Sequence, residues 1–159
     1  MVSERWFAAD VRRIWQKCTT RQGLESWWSP EDLRTIVTRF DARRGGEVAL
    51  TLRYVPAMLE PGGEARFRAA GIPIALELRG RVLELEQNRR IVFELTLSLD
   101  RGGTGVTNVT SLELEPVGSG TKVRIQVTGT GRSEPHMATL GKANLEGQLD
   151  RLARSINES

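Results

Sequence analysis

The clearest hydrophobic pattern in the chain lies near its end, from about His136 to Ile156. Four apolar residues recur there at steps of four, three and four, the spacing of one helix face: Leu145, Leu149, Leu152 and Ile156. Most residues between them are polar or charged. Because a single apolar stripe cannot stabilise a helix alone, the pattern predicts a long C-terminal helix that packs on another layer.

Most of the preceding chain alternates apolar and polar residues, which predicts β-strands with one buried face. Val48 to Tyr54 and Ile91 to Leu99 alternate most cleanly. Further strands are predicted at Val2–Phe7, Thr35–Phe40, Ala75–Gln87, Val106–Glu115 and Val123–Val127. Within Ala75–Gln87 the apolar parity changes around Gly80, and a β-bulge at that glycine would reconcile the two halves.

Two short helices are predicted between the first two strands. Asp10 is a candidate N-cap for a helix whose apolar residues follow at helical spacing and include Cys18. Thr20 is a candidate N-cap for a second helix, which Ser29-Pro30 ends. This helix carries Trp27 and Trp28, which point about 100° apart. We therefore expect that the two indoles are not both fully buried and that one of them lines an opening. The alternative for each, which is favoured, is a position in the core without a role in binding.

The order of these elements is typical of an α+β fold, because the strands cluster in the middle and the helices lie at the two ends. About six or seven antiparallel strands would curve around the C-terminal helix. At 159 residues, we expect one domain over residues 1–159. The segment Pro56–Pro73 is rich in proline and glycine, and connections of this length are often lids.

Composition excludes several classes of function. No apolar run reaches the roughly 18 residues of a membrane span, and no secretory signal is evident at the N-terminus. A single cysteine, Cys18, favours a reducing compartment, so we expect a cytoplasmic protein. The net charge is only +3, and the arginine pairs are scattered beside predicted turns, which argues against nucleic-acid binding.

Catalytic and metal-binding patterns are also weak. His136 is the only histidine, which argues against histidine-based metal sites, and no G-x-S-x-G motif occurs. The glycines around Ser119 do not precede a helix and are typical of a hairpin turn. Glu94 has outward parity and is expected in solvent. We therefore expect no metal, no cofactor and, on balance, no enzyme.

Several short motifs, in order along most of the chain, resemble the START-like (SRPBCC) superfamily. Within that superfamily, the chain most resembles the single-domain proteins that are named after the activator of the ninety-kilodalton heat-shock protein's ATPase. The motifs are T-x-x-x-L-x-x-W-W at 20–28, D-x-R-x-G-G at 41–46, G-x-V-x-E at 80–84, E-P-x-G-x-G-T at 115–121 and L-D-x-L at 149–152. The resemblance implies the helix-grip fold of the birch-pollen allergen, in which a curved sheet surrounds the long helix.

The superfamily is functionally diverse, so the resemblance implies three candidate functions. The first is the non-enzymatic binding of a hydrophobic small molecule between the sheet and the C-terminal helix. The second is an interaction module that acts on a chaperone ATPase in the stress response. The third is an enzyme similar to polyketide cyclases and dehydratases. A homodimer is also compatible with this family.

A ligand site in this fold would be mostly apolar, with a few polar groups that orient the ligand. The residues predicted to line it are Trp28, Tyr54, Phe67, Phe93, Asn108, Thr110, Met137 and Leu145. Leu145 stands where the family often has tryptophan, which would leave more room beside the helix. The alternative is that the same residues form a solid core without a site.

Overall fold

A computed structural model describes residues 1–29, 33–54, 65, 69, 75–97, 106–130 and 135–158, with side chains at 54, 106, 130 and 135–144 outside that description. The three helices are α1 (Val11–Thr19), α2 (Arg21–Trp27) and α3 (Pro135–Glu158). The strands are β1 (Val2–Phe7), β2 (Leu33–Phe40), β3 (Glu47–Tyr54), β4 (Ala75–Glu86), β5 (Arg90–Leu97), β6 (Val106–Val117) and β7 (Gly120–Thr130).

The seven strands form one antiparallel sheet in the order β1-β7-β6-β5-β4-β3-β2. Neighbours in the sheet follow one another along the chain, except that β1 pairs with β7. The sheet curls around α3, which confirms the predicted α+β helix-grip architecture. Pro56–Pro73 lies outside the described residues apart from positions 65 and 69, as does the predicted turn at 100–105.

Both predicted N-caps are confirmed. A side-chain oxygen of Asp10 accepts a hydrogen bond from the Arg13 amide at 2.9 Å, and Thr20 Oγ1 accepts one from the Gly23 amide at 3.0 Å. Each bond satisfies one of the amides that a helix leaves unpaired in its first turn. These caps fix where α1 and α2 begin, and so position the two tryptophans that follow.

The predicted bulge at Gly80 is wrong, because the register of β4 shifts between Val82 and Glu84 instead. Gly80 has a different role. A Cβ atom added there would lie 1.6 Å from the carbonyl oxygen of Glu94 on β5. The glycine therefore permits close approach of the β5 backbone, and the parity change needed by the apolar residues occurs further along the strand.

The core lies between the concave face of the sheet and the helices. The predicted stripe of α3 is fully engaged in it, since Leu145, Leu149, Leu152 and Ile156 are each 5% exposed or less. The alternating strands contribute their inward residues as predicted, including Leu50, Phe93, Leu112 and Ile125. Among the described residues, no helix is long and apolar enough to cross a membrane.

Candidate functional site

The predicted ligand-lining residues fall on the inner face of the sheet and on the helices that cover it. Trp28, Phe93, Thr110 and Leu145 are all buried. Phe93 lies directly opposite Thr110 in the β5–β6 pair. The ring centroids of Trp28 and Phe93 are 5.1 Å apart. Ring contact or strand pairing thus links three of these four predicted residues: Trp28, Phe93 and Thr110.

The remaining predicted residues are described only in part. Asn108 is half-buried and lies beside Gly129 of β7, where an added Cβ atom would lie 2.9 Å from Asn108 Oδ1. Tyr54 ends β3 and Met137 lies in the first turn of α3, but both side chains are outside the described set. Phe67 lies wholly outside the described residues.

The two ends of the sheet differ in how their strands are joined. At the hairpin end, short turns connect β2 to β3, β4 to β5 and β6 to β7. At the opposite end, which we call the connection end, each strand begins or stops within three residues of its neighbour's end in the pairing register: Leu33, Tyr54, Ala75, Leu97, Val106 and Thr130. The strand residues that flank the proline-rich segment are Tyr54 and Ala75. Both therefore lie at the connection end.

Burial of the inner face decreases from the hairpin end towards the connection end. Near the hairpin end, Val82, Ile91 and Leu112 are 1% exposed or less. Towards the connection end, Thr35 is buried, but six other inward residues are only half-buried: Leu52, Leu76, Leu78, Leu97, Asn108 and Val127. Apolar side chains on the concave face are thus partly accessible to solvent at the connection end.

Polar contacts hold α3 against its neighbours on both sides. The Gln148 side-chain amide donates to the carbonyl oxygen of Trp28, and an Arg151 amino group donates to the carbonyl oxygen of Ser29 at 2.7 Å. On the other side, Arg5 of β1 forms ion pairs with Glu146 at 2.8 Å and Asp150 at 2.6 Å. The sequence pattern did not identify these residues, because their partners are distant in the chain.

The two adjacent tryptophans do not behave as predicted. Trp27 is 0% exposed and Trp28 is 7% exposed, so the expectation that the two are not both buried is wrong. The reason is that α2 is enclosed on more than one side, by α1, β2 and α3. Trp27 Nε1 donates to the carbonyl oxygen of Lys17 at 2.8 Å, which satisfies its polar atom within the core.

Three grooves lined by described residues lie outside this layer, and most of the residues that line them are polar or charged. One, of about 420 Å³, lies on the outer face of the sheet and is lined mostly by charged side chains, including Arg90, Glu113 and Arg124. Glu94 is half-buried at an outward position. Among the described residues no group of His, Cys, Asp and Glu could hold a metal ion. The His136 side chain lies outside the described set.

Comparison with protein families gives one match that covers nearly the whole chain. The family profile of the Activator of Hsp90 ATPase homolog 1-like protein matches residues 8–157. None of the curated proteins compared with the chain matches it.

Comparison with solved structures shows the same fold in bacterial proteins. A protein from Chromobacterium violaceum is 24% identical, with a TM-score of 0.73 over 98% of this chain and 95% of its own. A protein from Arthrobacter aurescens is 20% identical, with a TM-score of 0.74 over 99% and 86%. A Silicibacter pomeroyi protein titled as a member of the matched family is 16% identical, with a TM-score of 0.73 over 99% and 96%.

Proposed function

The chain belongs to the family of Activator of Hsp90 ATPase homolog 1-like proteins, and on that basis we propose that it binds an elongated hydrophobic small molecule between the sheet and α3. The proposal includes no enzymatic step. We further propose that Pro56–Pro73 gates the site, since both of its chain ends lie at the connection end. A cytoplasmic location fits the single cysteine, Cys18, which is buried.

The observation that carries this proposal is the fall in burial along the concave face. Inward apolar residues that a core covers completely are removed from water, whereas those that it covers in part keep an apolar surface available for contact. Here Val82 and Ile91 are sealed, whereas Leu52 and Leu78 are half-buried. A ligand with an apolar body would cover these partly exposed side chains and gain the free energy of removing them from water.

The inner face also carries polar groups at positions that a purely structural core would fill with apolar residues. Thr110 is 4% exposed and faces inward between apolar neighbours, and Asn108 lies two residues closer to the connection end. Ligand sites combine an apolar lining with a few polar groups of this kind, which fix the orientation of the ligand.

Leu145→Trp tests the proposal by filling the space beside α3. We expect titration of the wild-type protein with a fluorescent fatty-acid or steroid probe to give saturable binding. The variant is expected to bind the probe at least about tenfold more weakly, because the larger indole occupies the volume that the ligand needs. Fluorescence titration measures both affinities.

Ile36→Trp is the matched control, because Ile36 lies on the outer face of β2 and is 38% exposed. It adds the same indole without filling the inner layer, so probe affinity should be unchanged. If no probe binds the wild-type protein, or if Leu145→Trp binds as well as wild type while remaining folded, the open site does not exist. Native mass spectrometry of protein purified from cells would independently detect a small molecule that co-purifies.

The second candidate function is an interaction with a chaperone, and the family description supports it. An exposed apolar surface also favours it: Trp6 is 48% exposed and Val117 is 42% exposed. The two are adjacent, since Trp6 Nε1 donates to the carbonyl oxygen of Val117 at 2.9 Å. Exposed apolar residues that lie together often mark contact surfaces for other proteins. The ATPase rate of a purified chaperone, measured with and without this protein, tests that role.

A further inference from the structure

One buried polar side chain on the inner face lacks a partner. Thr35 of β2 is 2% exposed, and its Oγ1 makes no hydrogen bond with any described residue. Buried hydroxyls are hydrogen-bonded in the large majority of cases, and an exception needs an explanation. Valine would also fit at position 35, because threonine and valine have nearly the same shape. The hydroxyl is therefore a feature of this sequence that the fold itself does not use.

Thr35 lies next to the part of the inner face that is only half-buried. It pairs with Leu52 of β3, which in turn pairs with Leu76 of β4. Both leucines are half-buried. Thr35 is also two residues from Leu33, where β2 begins at the connection end. The hydroxyl is therefore beside the surface that the proposed ligand would cover.

Nearby polar groups are engaged elsewhere. Ser29 Oγ donates to the carbonyl oxygen of Leu33 at 2.8 Å. Arg151 donates to the carbonyl oxygen of Ser29 at 2.7 Å and to Ser29 Oγ at 3.1 Å. These bonds complete the connection between α2 and β2 and leave the Thr35 hydroxyl out of it.

The inner face also limits the charge of any group that Thr35 could meet. On strands β2 to β7, the described inward positions carry no charged side chain; they are occupied by residues such as Val37, Leu50, Leu78, Phe93, Leu95, Asn108, Thr110 and Val127. Arg151 of α3 reaches the carbonyl oxygen of Leu33 at 3.4 Å, but it already donates to Ser29. A carboxylate buried against the strands would therefore lose its hydration without gaining a cation from the sheet. A hydroxyl or carbonyl would need only one hydrogen bond.

We propose that the Thr35 hydroxyl is the hydrogen-bond partner for an uncharged oxygen, a hydroxyl or a carbonyl, at the inner end of the ligand. The inference rests on the proposed function and makes it more specific: the ligand is an elongated apolar molecule with a neutral oxygen group, and an ionised fatty acid is the poorer match. Asn108 and Thr110, on the other side of the concave face, face different parts of the same molecule.

The test compares three competitors of equal chain length that displace a bound fluorescent probe: 1-dodecanol, dodecane and dodecanoate. The wild-type protein should bind the alcohol more tightly than the alkane and more tightly than the carboxylate at neutral pH. Thr35→Val should weaken binding of the alcohol by roughly 3- to 10-fold, the effect of one hydrogen bond, and leave the affinity for the alkane unchanged.

Two variants make the comparison specific. Thr35→Ser keeps the hydroxyl and should keep the preference for the alcohol. Thr128→Val makes the same change at an exposed position of β7 and should alter neither affinity. Thr35→Val should also unfold at a higher denaturant concentration than wild type, because it removes a buried polar atom that has no partner in the free protein.

The outcomes separate this inference from the function on which it rests. If dodecane and dodecanol both bind and Thr35→Val affects them equally, the inference about Thr35 is wrong and the apolar site remains. If Thr35→Val destabilises the free protein, the hydroxyl has a structural partner and the inference is also wrong. If no competitor binds wild type, the proposed site itself is wrong, and the inference is wrong with it.

Discussion

At the scale of single residues, Cys18 shows how burial controls chemistry. It lies on the apolar face of α1 and is 0% exposed. Burial disfavours the charged thiolate and raises the pKa of the Cys18 thiol from 9.0 to about 12. Because the thiolate is the reactive form, the folded protein should hold this cysteine as an inert apolar residue.

We therefore expect Cys18 to react with a thiol reagent only after unfolding. At pH 8 the native protein should be labelled at least about a hundred times more slowly than the protein in denaturant, because both access and ionisation are blocked. The raised pKa also predicts an effect of pH on the free energy of unfolding. The contribution of Cys18 to that free energy is constant below pH 9.0 and falls as the pH rises from there towards about 12. Mass spectrometry of labelling time courses measures the first effect. Rapid labelling of native protein would contradict it.

At the scale of elements, helix α2 protects the β2 edge of the sheet. On the β2 edge, a carboxylate oxygen of Glu25 accepts a hydrogen bond from the Val37 amide at 3.0 Å, and Arg21 donates to the carbonyl oxygen of Thr38 at 3.0 Å. The register of β2 also shifts between Val37 and Arg39. Helix α2 thus covers this edge and satisfies backbone groups that would otherwise be open to another strand.

Helix α3 depends on its apolar stripe, and Leu149 lies at its centre. The residue is 0% exposed and belongs to the same cluster as Trp27 and Phe93. We expect Leu149→Ala to lower the free energy of unfolding by about 2–5 kcal/mol, through lost burial and the cavity that it leaves. Asn157→Ala, at an exposed position of the same helix, should change it by less than about 0.5 kcal/mol. Urea denaturation measures both, and a loss below about 0.5 kcal/mol for Leu149→Ala would show that α3 is peripheral.

At the scale of the whole molecule, a row of alternating charges runs across five strands on the outer face of the sheet. Five residues that are cross-strand neighbours alternate in sign across five strands: Glu86, Arg90, Glu113, Arg124 and Glu4. Arg90 pairs with Glu113 at 2.7 Å and with Glu84 at 3.0 Å. The two arginines of this row are thus each matched by carboxylates on the neighbouring strands.

The first strand and the last helix are joined by a polar cluster that links the two ends of the chain. Ser3 Oγ donates to Glu146, and Arg5 pairs with Glu146 and Asp150. The hydrogen bond from Ser3 is the largest cause that holds the pKa of the Glu146 carboxyl below its ordinary value of 4.5. Burial opposes it, and the hydrogen bond and charge of Arg5 add to it. The cluster therefore favours the folded state only while Glu146 is ionised.

This coupling predicts a definite direction for the effect of pH. Because the folded pKa of Glu146 is depressed, its contribution to stability is present above pH 4.5 and is lost as the pH falls through the folded value. Wild type should be more stable than Glu146→Gln at pH 7, and the difference should shrink at pH 3. Glu158→Gln, at an exposed position near the end of α3, controls for the change in charge. An equal difference at both pH values in urea denaturation would contradict the prediction.

The sequence alone determined the order and type of the elements, because hydrophobic period and capping residues are local. The stripe from Leu145 to Ile156 predicts α3, and Asp10 and Thr20 predict where α1 and α2 begin. The same parity argument placed Phe93 and Thr110 on the inner face. The family motifs, such as the tryptophans at 27–28, added the curved arrangement that periodicity cannot supply.

Tertiary structure decided the features that depend on residues distant in the chain. Whether Trp27 and Trp28 are both buried depends on α1, β2 and α3 closing around α2, and no local pattern carries that information. The register of β4 shifts between Val82 and Glu84 in its pairing with β5, a strand that the period of β4 alone does not describe. The lack of a partner for the Thr35 hydroxyl also depends on distant residues, because the groups around a buried hydroxyl are set only when every neighbouring element is in place.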